Sequence, residues 1–191
     1  MRVILVSHFS NEFAKDTVRF YEYFRKILKI PKFKIHFYNS GDFDEGIKIH
    51  NFLKKAGKIK ETLVVYYGGH GYRKGWKLSD KYKISYKTII NSLCQHKRPI
   101  IFVNDCCFGM ALKDYLLLLQ CPYLLLSLSP KTMVGYGSLV SGVITCWKAR
   151  KSADPRLWVN KANELTSFIL KKCAQRLRYG KKLDYLCYPK K

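Results

Sequence analysis

The chain has 191 residues, with 36 Lys or Arg against 13 Asp or Glu, a formal net charge of +23. Hydrophobic residues make up 48%, which excludes a disordered tail and fits one globular domain with a core of ordinary size. The charge excess is beyond what solubility requires and predicts attraction to something acidic: nucleic acid, an anionic surface or acidic proteins.

Val3–Val6 opens the chain as a buried-type strand. A helix is predicted over Glu12–Ile30, with Phe13, Phe20, Phe24 and Leu28 near helical spacing and Pro31 ending it. Phe33, Ile35 and Phe37 alternate with polar residues, the pattern of a half-buried second strand, before the turn residues Asn39-Ser40-Gly41-Asp42. Ile47, Phe52 and Leu53 predict a second helix that ends near Gly57. Leu63–Tyr67 reads as a third strand running into a Gly68-Gly69-His70-Gly71 loop, and Tyr86–Gln95 as a third helix. Ile100–Val103 reads as a fourth strand running into Asn104-Asp105-Cys106-Cys107. Beyond it come a fifth strand, Tyr123–Leu128, helices over Ser141–Arg150 and Asn160–Arg178, and a final strand, Leu183–Tyr188. Alternating strands and helices predict an α/β fold with a mainly parallel sheet and helices on its faces. No linker or repeat divides the chain, so a single domain over 1–191 is expected.

Active sites in such sheets form beyond the carboxyl ends of the strands. Two candidate groups stand there, His70 after the third strand and Cys107 after the fourth. A nucleophilic cysteine needs a partner that helps form the thiolate and later protonates the leaving amine, and histidine titrates in the right range. It also needs backbone N–H groups for the tetrahedral oxyanion, and those of Gly71 and Cys107 are the candidates. Either residue alone is more simply a buried thiol or a turn histidine; the pair at two strand ends is more specific. Cys106 adjoins Cys107, and neighbours point to opposite sides, so only one of them should face the site. His8, at the end of the first strand, is a candidate to line the substrate pocket, as is Ser127 on the fifth. His36, His50 and His96 have no evident partners.

Leu63–Tyr72, LVVYYGGHGY, resembles the strand-plus-SGHG motif of caspases and metacaspases. Ile100–Met110, IIFVNDCCFGM, resembles their strand-plus-D-x-C-x-S-G motif. The resemblance places the catalytic histidine on His70, the catalytic cysteine on Cys107 and the pocket aspartate on Asp105. More weakly, the helix around Asp16 is similar to the first family helix, and Tyr123–Leu128 with Ser141-Gly142 to the small-subunit region. The resemblance implies a caspase-like six-stranded, mainly parallel sheet flanked by helices on both faces. A large-subunit-like part would cover about 1–115 and a small-subunit-like part about 120–191, with no prodomain ahead of the first strand. It implies a cysteine endopeptidase acting through a thioester acyl-enzyme. In metacaspases the aspartate two places before the cysteine helps bind a basic residue, so cleavage after Arg or Lys is expected, since a carboxylate pairs with Arg bidentately. Phe108-Gly109-Met110 departs from the family's x-Ser-Gly, and the interval from His70 to Cys107 is shorter than the roughly 50 residues of caspases.

Many metacaspases use calcium, but hard cations need several clustered oxygens. Asp42, Asp44 and Glu45 read as a solvated turn, so no metal or other cofactor is expected. The seven cysteines, Cys94, Cys106, Cys107, Cys121, Cys146, Cys173 and Cys187, contain no CxxC pair. Disulfide frameworks and zinc ribbons are therefore not expected, and a reducing intracellular compartment, cytoplasmic or nuclear, fits. The opening apolar run is too short for a signal peptide and no later run is long enough to span a membrane. The expected partners are a protein or peptide substrate and an acidic protein or nucleic acid on the basic surface, densest over Lys171–Lys182. Family precedent leaves monomer and homodimer both open, the final strand being the edge for the latter. Two alternatives stand beside the peptidase: an inactive caspase-fold interaction module, and a basic nucleic-acid-binding protein whose Cys/His pair is accidental. A compact basic chain of this kind also suits a virus-encoded product.

Overall fold

The computed structural model describes residues 1–8, 11–40, 43–127 and 186–187. Apolar runs with little polar interruption become the central strands, as burial on both faces demands. These are β1 (Arg2–His8), β3 (Leu63–Tyr72) and β6 (Ile100–Cys106), and β6 is buried along its whole length. With β2 (Ile35–Ser40), β7 (Tyr123–Ser127) and β8 (Leu186–Cys187) they lie in the order β2-β1-β3-β6-β7-β8. All neighbours are parallel except β7 and β8, which run antiparallel. Two short strands, β4 (Gly75–Lys77) and β5 (Lys83–Ser85), fold back from the end of β3 as an antiparallel ribbon.

Side chains alternate between the two faces. Ile4, Val6, Val65, Tyr67 and Phe102 pack toward α2 (Phe43–Ala56), α3 (Tyr86–Leu93) and the short α4 (Lys113–Leu116). Val3, Leu5, Val64, Tyr66 and Val103 pack toward α1 (Asn11–Glu22). Helices therefore cover both faces, and the chain is an α/β protein with a mostly parallel sheet. The Ser85 side chain caps α3 by accepting the Thr88 N–H at 3.0 Å.

Three expectations need correction. The first helix does not run unbroken to Ile30: a π turn over Tyr23–Ile27 follows α1, with Leu28 N–H reaching Tyr23 C=O at 3.2 Å. Phe20, Tyr23 and Phe24, at i, i+3 and i+4, share one helix face and are all buried. Phe33 is not in the second strand; it sits in a 3-10 turn over Lys32–Lys34 and is 70% exposed. The Gly-rich segment around His70 is not a loop, because β3 continues through it to pair with β4. The β4–β5 ribbon itself was not expected. The helices expected over Ser141–Arg150 and Asn160–Arg178 lie outside the described residues. Among the described residues no helix is long and apolar enough to cross a membrane.

Candidate active site

Parallel pairing sets the geometry. β3 and β6 run in register from Leu63↔Ile100 to Gly68↔Asp105 and Gly69↔Cys106. The next residue on β3 is His70, and the next after β6 is Cys107. Two groups far apart in sequence therefore leave neighbouring strands at the same level, at their carboxyl ends. Gly71 lies against the Cys107 backbone: a Cβ there would overlap the Cys107 carbonyl oxygen and come within 3.1 Å of Cys106 Sγ. Only glycine permits that approach.

The two cysteines differ sharply. Cys106 is buried in the core on the α3 side, and burial pushes its thiol well up, with Asp105 and Cys107 adding to the shift. The Tyr86 hydroxyl lies 3.8 Å from its Sγ. Cys107 is only partly buried. Asp105 is 6% exposed, and its carboxylate acts with burial to push the Tyr66 hydroxyl up on the α1 side of the sheet.

His70 is exposed at the rim, its ring one of three that pack edge-on to one another. His8 stands edge-on to it at 4.8 Å between centroids and Phe13 at 5.2 Å. His8 is 4% exposed, and burial first, then His70 and Lys77, hold its pKa below the usual histidine value. Behind His70, the Tyr67 hydroxyl faces two carbonyl oxygens, His70 at 2.9 Å and Lys77 at 2.6 Å. Burial pushes that phenol far up, so it stays a neutral donor. Its ring stacks on Trp76 at 4.7 Å.

Cys107 is followed by Phe108, whose φ of 55° is left-handed. For an aromatic residue this costs about 1–2 kcal/mol and must be held by its surroundings. Two hydrogen bonds hold its carbonyl, from Ala111 N–H at 2.9 Å and from the Tyr86 hydroxyl at 3.4 Å. Buried Asn104 holds the next residue: its Nδ2 donates to Gly109 C=O at 3.0 Å, and its Oδ1 accepts Trp76 Nε1–H at 3.1 Å. Trp76 pairs with Gly71 across the β3–β4 ribbon. The Trp76–Asn104–Gly109 chain therefore ties the His70 strand to the Cys107 turn. Gly109 is needed for space, since a Cβ there would overlap the Ser127 hydroxyl. Ser127 is wholly buried beneath it.

Asn104, Trp76 and Tyr86 were missed in the sequence, where a buried Asn within a strand carries no periodic signal. His36 packs on Phe52 with the rings tilted and their centroids 4.1 Å apart, and His96 is buried with Nδ1 3.3 Å from Ala56 C=O. Among the described residues no three His, Cys, Asp or Glu side chains converge as a metal site. The chain matches no protein-family model, and no curated protein is similar to it.

Proposed function

We propose that this chain is a cysteine endopeptidase of the caspase and metacaspase type, with Cys107 as nucleophile and His70 as its proton-transfer partner. The observation that supports it most is the in-register pairing of β3 with β6, which brings both residues out at one end of the sheet. The order β2-β1-β3-β6-β7-β8 and the helices on both faces suit a caspase-like fold.

In this reading the Cys107 thiolate attacks the peptide carbonyl carbon. The oxyanion lies toward the N–H groups of Gly71 and Cys107. Collapse breaks the C–N bond, and His70 protonates the leaving amine, leaving a thioester. Water then attacks the thioester while His70 takes its proton, and the acid product leaves with Cys107 free. Asp105 supplies the carboxylate that would pair with an Arg or Lys before the cut. His8 acts through the His70 ring it packs on, and Ser127 through the turn it supports.

The test is cleavage of fluorogenic peptides ending in Arg, Lys or Asp, with and without calcium, by the wild type and Cys107→Ala. Cleavage after Arg or Lys that disappears in Cys107→Ala is expected. No cleavage by a folded wild type would shift the reading to an interaction module, which the left-handed Phe108 turn in place of the family's Ser-Gly favours.

A further inference from the structure

A Cys–His site has no use for a net charge of +23. The densest run of basic residues, Lys171–Lys182, lies outside the described residues, but a built basic surface exists elsewhere. A groove of about 510 Å3 runs between α2 and α3, and two unlike walls line it. The α2 wall carries His50, Lys54, Lys55 and Lys58. His50 and Lys54 are one turn apart, about 6 Å along the axis. Lys58 continues the row through the closing turn, where its N–H bonds Lys55 C=O at 3.1 Å. The α3 wall is formed mainly by Thr88, Asn91, Ser92 and Gln95, which are hydroxyls and amides without charge. No carboxylate lines the groove among the described residues.

We propose that this groove binds the phosphate backbone of single-stranded nucleic acid, independently of any peptidase activity. Burial first and then Lys54 hold the His50 pKa below the usual histidine value, so the charge at neutral pH comes from the lysines, and Lys54 and Lys58 step at a spacing comparable with successive phosphates on one strand. Opposite it, amides and hydroxyls can exchange hydrogen bonds with sugars and phosphate oxygens, as in contacts that position a strand. A flat anionic bilayer does not fit a concave site between two helices. An acidic peptide would engage the cations and leave the neutral wall unused. No Phe, Tyr or Trp lines the groove, so affinity rests on contacts to the phosphate and sugar, and binding is expected to be insensitive to base sequence. The helices close toward the starts of β3 and β6, at the opposite end of the sheet from His70 and Cys107.

The experiment is fluorescence anisotropy of a labelled oligothymidylate across a range of salt. The variant combines Lys54→Gln, Lys55→Gln and Lys58→Gln. The control combines Lys26→Gln, Lys29→Gln and Lys32→Gln, which removes the same charge from exposed positions on the α1 side. The groove variant should bind roughly tenfold more weakly at moderate salt, with a salt slope shallower by about 2, from three cations at ~0.7 each. The control should lose no more than about threefold, as a general charge effect. Replacing the three groove lysines by Arg should restore binding. Cys107→Ala should bind the oligonucleotide as wild type does, so failure here and failure of the peptidase reading remain distinct. Equal losses in groove variant and control would overturn the proposal. So would groove-dependent capture of polyglutamate or phosphatidylserine vesicles that matches the oligonucleotide.

Discussion

The two halves of the candidate site are held in different ways. His70 stands on a strand that is paired on both sides: β3 lies beside β6, then turns into a ribbon where His70 faces Lys77 and Gly71 faces Trp76. Backbone pairing does most of the holding there, with the Tyr67 hydroxyl on the His70 and Lys77 carbonyls, and glycines let the chains close up. Cys107 stands in a turn with no ladder of its own. Beyond one backbone bond from Ala111 N–H, side chains hold that turn, Tyr86 on the Phe108 carbonyl and Asn104 on the Gly109 carbonyl. A backbone-held half should tolerate most side-chain changes but no added Cβ at the contact. A side-chain-held half should fail when one buried polar group is removed.

The largest effect is expected from Gly71→Ala. Its Cβ meets the Cys107 carbonyl, which is backbone and cannot swing away. Displacing the nucleophile by about 1 Å should lower peptide turnover by about 100-fold, and overpacking should destabilise the fold by about 1–3 kcal/mol. Wild-type turnover in Gly71→Ala would show that the two backbones are not in contact. Asn104→Ala comes next. It leaves buried Gly109 C=O and Trp76 N–H without this partner, at about 1–3 kcal/mol each, readable as a lower denaturation midpoint. Turnover should fall less than in Gly71→Ala, and an unchanged midpoint would remove the side-chain half of the comparison. The smallest effect belongs to Cys106. Its thiol is buried and its pKa pushed up, so at neutral pH almost none is thiolate. Mass spectrometry after brief iodoacetamide treatment should find Cys107 alkylated and Cys106 spared, and Cys106→Ala should retain peptide cleavage. If Cys106→Ala alone abolishes cleavage, the nucleophile has been assigned to the wrong cysteine.

Much of the sheet was legible in the sequence because its strands are apolar runs of the right length. The central strands β1, β3, β6 and β7 follow directly from such runs, and their alternation with helices predicts parallel pairing. The Gly-Gly-His-Gly segment misled because glycine disfavours strands, while the partner that keeps it extended is only three residues long. A three-residue strand is too short to show a period. Phe33 misled in the other direction: it fits an alternating pattern with Ile35 and Phe37, but the 3-10 turn after Pro31 leaves it in solvent. The candidate pair itself was legible, since His70 and Cys107 each follow a recognisable strand. What holds the pair was not, because Trp76 and Asn104 meet only through tertiary pairing.

The ribbon after β3 also bears on the order of events in folding. The His70↔Lys77 pairing closes a short stretch of chain, and such ribbons form quickly. The Leu63↔Ile100 pairing spans a much longer one and waits for β6 to dock. As domains emerge amino terminus first, the histidine's strand can be shaped while the cysteine is still being made. The unfinished chain thus carries the histidine without the cysteine, and any reactivity that needs both arises only once the sheet has closed.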